Sequence, residues 1–396
     1  MTSSGWDSAD FRDRVQAALD VFLDEQARRL APLGPDASRL LDEARAAVSG
    51  GKRFRAAFCY WGALAVAPGL AAGPAEQDAL IRACASQELL HASALVHDDL
   101  MDASDTRRGR PATHRQFETD HRQARWRGVP EQYGAAAAIL LGDLLLTWAD
   151  ELLRRCGLPP AQVAPALDVF DHCRSEVIAG QFLDVSVQAR GLADVDAAMT
   201  VLRYKSAKYS IERPLHIGAA LAGAGPRTMA ELTAFGLPLG EAFQLRDDLL
   251  GVFGDPAATG KPAGDDLIEG KRTVLVALAL DAADPEDAKL LHTSLGTDLS
   301  EEQVAVLREI IDASGAHAQV EEVIGELGDH AVTALDEAAV ERLRGIIDGS
   351  GAHHQVESVI TELAGRAVTA LDRAEVDDRA RAVLRELASA ATDRAV

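Results

Sequence analysis

The chain has 396 residues, with 40 Lys+Arg against 62 Asp+Glu, a net charge of −22, 47% apolar residues and 5% aromatics. It is long enough to bury a sizeable core, which excludes disordered and fibrous classes. So acidic a surface also excludes a general affinity for nucleic acid or anionic lipid, so an anionic ligand must meet local cations or bridging metal ions.

From the N-terminus, the segment MTSSGWDSADFRDR carries acids and lacks the basic-then-apolar order of a signal peptide, so a cytoplasmic location is expected. Val15, Leu19, Phe22 and Leu23 recur at helical spacing, and such spacing pervades the chain while strand-like alternation is nearly absent. Gly/Pro clusters at 32–35, 68–74, 157–160 and 222–226 punctuate the helices. The longest uncharged run, 56–75, is broken by Pro68 and glycines, so a buried helix and a turn are expected there, and no membrane span. Cys59, Cys84, Cys156 and Cys173 lie far apart with no CxxC pair, which argues for buried thiols rather than a zinc site or disulfides. The stretch 121–127, HRQARWR, reads as a polar loop, and Asp143 in LLGD as a structural aspartate. Near the C-terminus, 307–338 recurs at 343–374 with 23 identities in 32 aligned positions, a duplicated helical hairpin. With no Ser/Gly linker between blocks, the expected fold class is all-α, one large helical bundle over 1–396.

The chemistry concentrates in two acidic clusters. In HDDLMDASDTRRGRP, Asp98, Asp99 and Asp102 form DDxxD, followed by Asp105, Arg107 and Arg108. Asp98 and Asp102 are i and i+4, so on a helix their carboxylates share one face and repel each other unless a hard cation lies between them. The arginines add bidentate phosphate donors. The second cluster, FQLRDDLLGVFGDPAATGKPAGDDLIEGKRT, supplies Asp247, Asp248, Lys261, Asp265, Asp266 and Lys271 after an apolar helix. Either cluster alone reads as a solvated, salt-bridged face. Two on apolar helices, each with cations nearby, point to a metal-dependent diphosphate site.

These motifs resemble the trans-isoprenyl diphosphate synthases, the polyprenyl synthetase family, and most of all its geranylgeranyl diphosphate synthases. The resemblance covers roughly 15–395 and includes GGKRFR at 50–55, GQFLD, YKSAKYS and FQLRDD. It implies an isoprenoid-synthase bundle, a homodimer, and Mg²⁺ held by Asp98, Asp102 and Asp247. It further implies that Lys52, Arg55, His91 and Arg108 bind isopentenyl diphosphate. Arg107, Lys205, Ser206, Gln244, Lys261 and Lys271 would serve the allylic diphosphate, and Arg107, Lys205, Gln244 and Lys261 would assist its departure. Gln181 and Asp184 fall at family positions, Asp184 as a partner in the metal and lysine network. Two departures stand out: Gly251 replaces the last acid of the second DDxxD, so with Asp247 as the direct ligand a retained but altered metal affinity is expected, and Ala56 replaces a proline.

In the implied reaction, ionisation of the allylic substrate is followed by attack of the isopentenyl double bond, with no side-chain nucleophile. Ser93 and Ala94, five and four residues before Asp98, are small where farnesyl-producing relatives commonly place aromatics, so a C20 product is expected. Phe170 or Phe182 could close the tunnel deeper. A terpene cyclase and a non-catalytic partner subunit are the alternatives. Lys52, Arg55 and the second acidic pair speak against the first, and the intact first motif against the second.

Overall fold

The computed structural model describes residues 8–191, 194–254 and 264–337. The chain divides into two compact units, and Asp10–Ala339 is the one to which nearly all described residues belong. The second copy of the duplicated hairpin, the segment 255–263 with Lys261, and therefore part of the expected 1–396 domain, lie outside the described residues.

The helices begin and end where the sequence punctuates them. Helix α1 (Ser8–Leu30) buries Phe11, Val15, Leu19 and Leu23 on one stripe, and α2 (Pro35–Val48) starts on a proline whose fixed φ suits a first turn. Then Gly50, Gly51 and Arg53 all take positive φ, a sharp reversal that feeds α3 (Phe54–Val66). Helix α4 (Pro74–Met101) is buried on nearly every side between Ala79 and Ser93, which makes it the central helix. Its C-terminal end carries the first acidic motif.

A two-residue hairpin follows, β1 (Thr106–Arg107) against β2 (Arg110–Pro111), the only strand pair among the described residues. Arg108 (φ 53°) and Gly109 (φ 73°) form its turn, with the double positive φ that matches the twist of paired strands. Helices α5 (Thr113–Ala124), α6 (Pro130–Arg154) and α7 (Pro160–Arg190) come next. His121 to Ala124 are the last turn of α5, with His121 buried, so only the end of HRQARWR is loop. The α5 apolar side decides this, because His121 packs on Trp126 and Tyr133.

Helix α8 (Val195–Val201) runs into a π-helical segment, Leu202–Glu212, and on into α9 (Arg213–Leu221). Glycines let the neighbours approach this rod closely. A Cβ on Gly62 would fall 2.3 Å from the Leu215 carbonyl oxygen, and one on Gly218 would fall 1.8 Å from that of Cys59. Helix α10 (Pro226–Phe253) packs on the π-helical segment and ends in the second motif.

The C-terminal described elements are α11 (Asp265–Glu269), α12 (Val274–Ala282), α13 (Pro285–Ser294), α14 (Glu301–Ala313) and α15 (Ala316–Glu337). Helix α14 opens on a reciprocal Ser300/Gln303 capping box. The first copy of the repeat packs directly on α10: Arg246 pairs with Glu321, Phe253 stacks on His317 with ring centroids 4.3 Å apart, and Arg308 donates to the Val252 carbonyl at 2.6 Å. Leu245, Leu249, Leu267, Leu275, Val304, Leu307 and Val320 share one core cluster there. All four cysteines are buried thiols, and no described helix is long and apolar enough to cross a membrane.

Candidate active site

Asp98 sits one turn before the end of α4 and is met from two other helices. Its Oδ1 accepts from Gln181 on α7 at 3.0 Å and from the Lys205 ammonium at 3.2 Å. Lys205 also donates to Asp184 at 2.6 Å. Burial opposes the charge of Asp98, yet Lys205, Lys271 and Arg107 together outweigh it and hold the carboxyl below its usual range. Burial likewise opposes the charge of Lys205, and Asp98 with Asp184 outweighs it, so its pKa is raised.

The reach of Lys205 depends on a wide turn and a bare helix face. The π-helical segment displaces the chain outward at Lys205 and Ser206, which are both half-buried there. A Cβ on Gly180 of α7 would fall 2.4 Å from the Lys205 amide nitrogen, so only glycine lets the two backbones meet. Asp184 stands one turn further along the same helix.

The three acids of the first motif take different roles. Asp99 is buried and accepts from Arg107 Nε at 2.8 Å, with a second, shorter contact from the same guanidinium. Arg107 is thereby anchored, and the same terminal nitrogen that makes the shorter contact lies 3.8 Å from Asp98. Asp102 ends the helix, 3.7 Å from Lys271. Burial, then repulsion from Asp98, pushes Asp102 up to about 7. Lys271 is held by Glu269 at 2.5 Å and Asp266 at 3.1 Å, and its pKa is raised well above normal because these acids outweigh its burial.

In the second motif Asp247 is exposed, whereas Asp248 is buried and accepts from Gln244 at 2.8 Å. Gln244 is thus engaged within its own helix. Burial, then the charge of Asp266, pushes Asp248 up to about 8.

A basic arc faces the first motif. Within GGKRFR the side chains diverge, because Arg53 turns inward to Glu88 (3.1 Å) and the Val48 carbonyl (2.6 Å), while Lys52 stays exposed beside the Phe54 ring. Arg55 donates to Ser210 at 2.7 Å and lies over the Tyr209 ring, and its buried Nε has no partner. Arg108 is exposed, donates to the Ser49 carbonyl at 3.1 Å, and rests against Gly51, where a Cβ would fall 3.3 Å from its guanidinium. His91 Nδ1 is 2.7 Å from the Tyr209 hydroxyl. Burial first, and then the Arg55, Arg108 and Arg107 charges, push His91 well below its usual pKa, so it is neutral. Buried Tyr209 keeps its proton, and a hydroxyl donating to Nδ1 leaves Nε2–H as a donor.

The chain-length pair also separates. Ser93 is buried and donates to the Gly142 carbonyl of α6 at 2.8 Å, so it faces the helix contact. Ala94 is half-buried and lies one turn below Asp98 on the same face. Phe170 is fully buried, whereas Phe182 is 71% exposed, so within one chain Phe182 closes nothing. Its place one residue past Gln181 rotates it about 100° around α7, away from the site and into solvent.

Among the described residues no three acidic, histidine or cysteine side chains converge to hold a metal by themselves. The carboxylates stand in pairs instead, and the raised values of Asp102 and Asp248 report charge that burial leaves uncompensated. Such pairs fit a hard divalent cation that shares its coordination with a substrate's phosphate oxygens. The sign of the linkage follows. Both carboxyls are raised, so between about pH 4 and pH 8 the folded chain holds protons that the unfolded chain has lost, and their contribution to stability falls as pH rises. Mg²⁺ is therefore expected to raise the melting temperature more at about pH 8.5 than at about pH 6, and equal shifts at both would contradict it.

Spacing alone pointed to the two acidic motifs and their flanking cations, and the remaining site residues were implied by the family resemblance. Sequence reasoning missed Arg53 and Asp99 as internal anchors, Tyr209 as the partner of His91, and Asp266 as a neighbour of Gly251. The tyrosine's spacing from Lys205 was the one usable signal, since four residues on a helix bring side chains to one face.

The sequence matches the family described as Polyprenyl synthetase over residues 38–313. The short chain isoprenyl diphosphate synthase of Methanothermobacter thermautotrophicus is 34% identical over 270 residues, spanning 68% of this chain and 74% of that protein. The geranylgeranyl diphosphate synthase of Sulfolobus acidocaldarius is 33% identical over 267 residues, spanning 66% and 73%. The crystal structure of geranylgeranyl pyrophosphate synthase from Corynebacterium glutamicum, complexed with isoprenyl diphosphate and magnesium, superposes with a TM-score of 0.80 at 38% identity, covering 98% of this chain and 100% of that one.

Proposed function

Since the chain belongs to the polyprenyl synthetase family, we propose that it condenses isopentenyl diphosphate head-to-tail with allylic diphosphates, in the presence of Mg²⁺, to form geranylgeranyl diphosphate. The observation that carries this reading is the convergence of Lys205 from the π-helical segment, Gln181 from α7 and Arg107 from the hairpin on the first-motif carboxylate Asp98. Magnesium, when bound, neutralises the charge that develops on the departing diphosphate. Asp98, Asp102 and Asp247 are the residues that would hold it. Arg107, Lys205, Lys271 and Ser206 would bind the same diphosphate and stabilise its developing charge, and the family resemblance adds Lys261 to them. Gln244 would join them on release from Asp248. Lys52, Arg55, Arg108 and the Nε2–H of neutral His91 form a second, separate set of donors, which suits a second diphosphate substrate and speaks against a cyclase.

The test is to supply purified protein with isopentenyl diphosphate, Mg²⁺ and dimethylallyl, geranyl or farnesyl diphosphate in turn, and to size the products. A C20 product is expected. One helical turn spans about 5.4 Å, roughly one C5 unit, so Ala94→Phe is expected to shorten the main product from C20 to C15. A product length unmoved by Ala94→Phe would place the tunnel elsewhere.

A homodimer and a cytoplasmic location belong to the same reading. Helix α7 exposes an apolar stripe of Ile178, Phe182 and Val185, and α6 exposes Ile139 and Leu140. A second copy covering this face explains residues that are costly in water. Phe182→Glu is expected to yield monomers by sedimentation. An unchanged assembly state would move the interface elsewhere. Four buried thiols fit a reducing compartment.

A further inference from the structure

Gly251 follows the second motif by one helical turn, at the position where a complete DDxxD has its last acid. The space in which a side chain would begin there is already filled. A Cβ built on Gly251 would lie 1.9 Å from Asp266 Oδ2 and 2.4 Å from its carboxyl carbon, so the Asp266 carboxyl rests on the bare α-carbon of Gly251. Asp266 is brought to this point by α11, entered through Gly264 at φ 81°. Asp266 is buried, and its other carboxyl oxygen accepts from Lys271 at 3.1 Å. Lys271 in turn reaches Asp102 of the first motif at 3.7 Å. Gly251, Asp266, Lys271 and Asp102 thus connect the second-motif helix to the first.

We propose that Asp266 is a positioning residue of the cation site that takes the place of the acid absent from position 251, and that Gly251 is what gives it a seat. The proposal rests on the reading above that the acidic pairs hold a divalent cation with diphosphate. It gives a physical basis to the sequence expectation that metal affinity is retained but altered at Gly251. A carboxylate at 266 and a side chain at 251 exclude each other, so completing the DDxxD pattern displaces Asp266, loosens Lys271 and weakens the site.

The experiment measures Mn²⁺ binding by paramagnetic resonance in saturating inorganic diphosphate, with thermal melts of the cation-free protein alongside. Asp266→Asn, which keeps the shape and removes the charge, is expected to weaken Mn²⁺ binding about ten- to a hundredfold, the scale for losing a group that orients metal ligands. Its cation-free melt should stay near that of the wild type, which a purely structural role would not allow. Gly251→Asp is expected to bind more weakly than wild type, and the exchange pair Gly251→Asp with Asp266→Gly to bind more tightly than Gly251→Asp alone. The proposal is overturned if Asp266→Asn leaves Mn²⁺ affinity unchanged, or if Gly251→Asp binds as tightly as wild type. Should Gly251→Asp fail to fold, Asp266→Asn decides alone. A wild type that binds no Mn²⁺ beside diphosphate instead defeats the functional reading, and this inference with it.

Discussion

Asp98→Ala is expected to lower the rate of condensation by about a thousandfold or more, the scale of losing a group that organises transition-state charge in a buried site. The geometry makes it the carboxylate on which most site groups meet among the described residues. Lys205 and Gln181 both donate to it, and Arg107 lies within 4 Å. Removing it deletes a carboxylate proposed to hold the cation and frees the Lys205 ammonium to fold back onto Asp184, where it already has its shorter contact. The substitution should therefore leave the protein folded, because the neighbouring charges keep partners. Asp99→Ala should behave differently. Asp99 anchors Arg107 inside the protein, so its loss strands a guanidinium and lowers thermal stability as well as rate. Product assays with circular dichroism melts on both variants separate the two roles. An Asp98→Ala protein that retains more than about a tenth of wild-type turnover would contradict the assignment of Asp98 to the departing diphosphate.

Gly180→Ala should be nearly as damaging, for a reason of space. The added Cβ would sit 2.4 Å from the Lys205 nitrogen and 2.7 Å from the Tyr204 carbonyl carbon, both backbone atoms that cannot rotate aside. The π-helical segment must retreat from α7, which costs about 1–3 kcal/mol as overpacking. The same retreat draws Lys205 away from Asp184 and Asp98, so kcat should fall together with affinity for the allylic substrate. Ala17→Ser, an equally small change on the exposed side of α1, is the control and should change neither. Should Gly180→Ala melt and turn over like wild type, the close approach of the two backbones is not what sets Lys205.

Much of this architecture was legible in the chain itself. Helical spacing at Val15, Leu19 and Leu23 appears as the buried stripe of α1, and all four Gly/Pro clusters fall between helices. The family resemblance implied Asp184 in a lysine network and Lys205 near the allylic diphosphate, and in the fold Lys205 donates to Asp184 at 2.6 Å and to Asp98 at 3.2 Å. The division of labour inside each motif was not legible. GGKRFR offers three neighbouring cations, and only the reversal at Gly50, Gly51 and Arg53 sends Arg53 inward while Lys52 remains outside. Ser93 and Ala94 looked equivalent as small residues, yet a rotation of about 100° between successive helical positions turns one toward α6 and leaves the other beneath Asp98.

By itself the sequence determined the helical class, the two acidic motifs, the basic residues that accompany them and the family. These depend on spacing of a few residues, and helix geometry converts such spacing directly into shared faces. Tertiary structure decided which charges meet. Whether Asp102 is eased or strained depends on Lys271, which arrives from a distant turn, and the standing of Gly251 depends on Asp266, which settles into its empty space. Contacts of that kind are set by how closely helices pack, and packing is a property of the folded chain that no local pattern encodes.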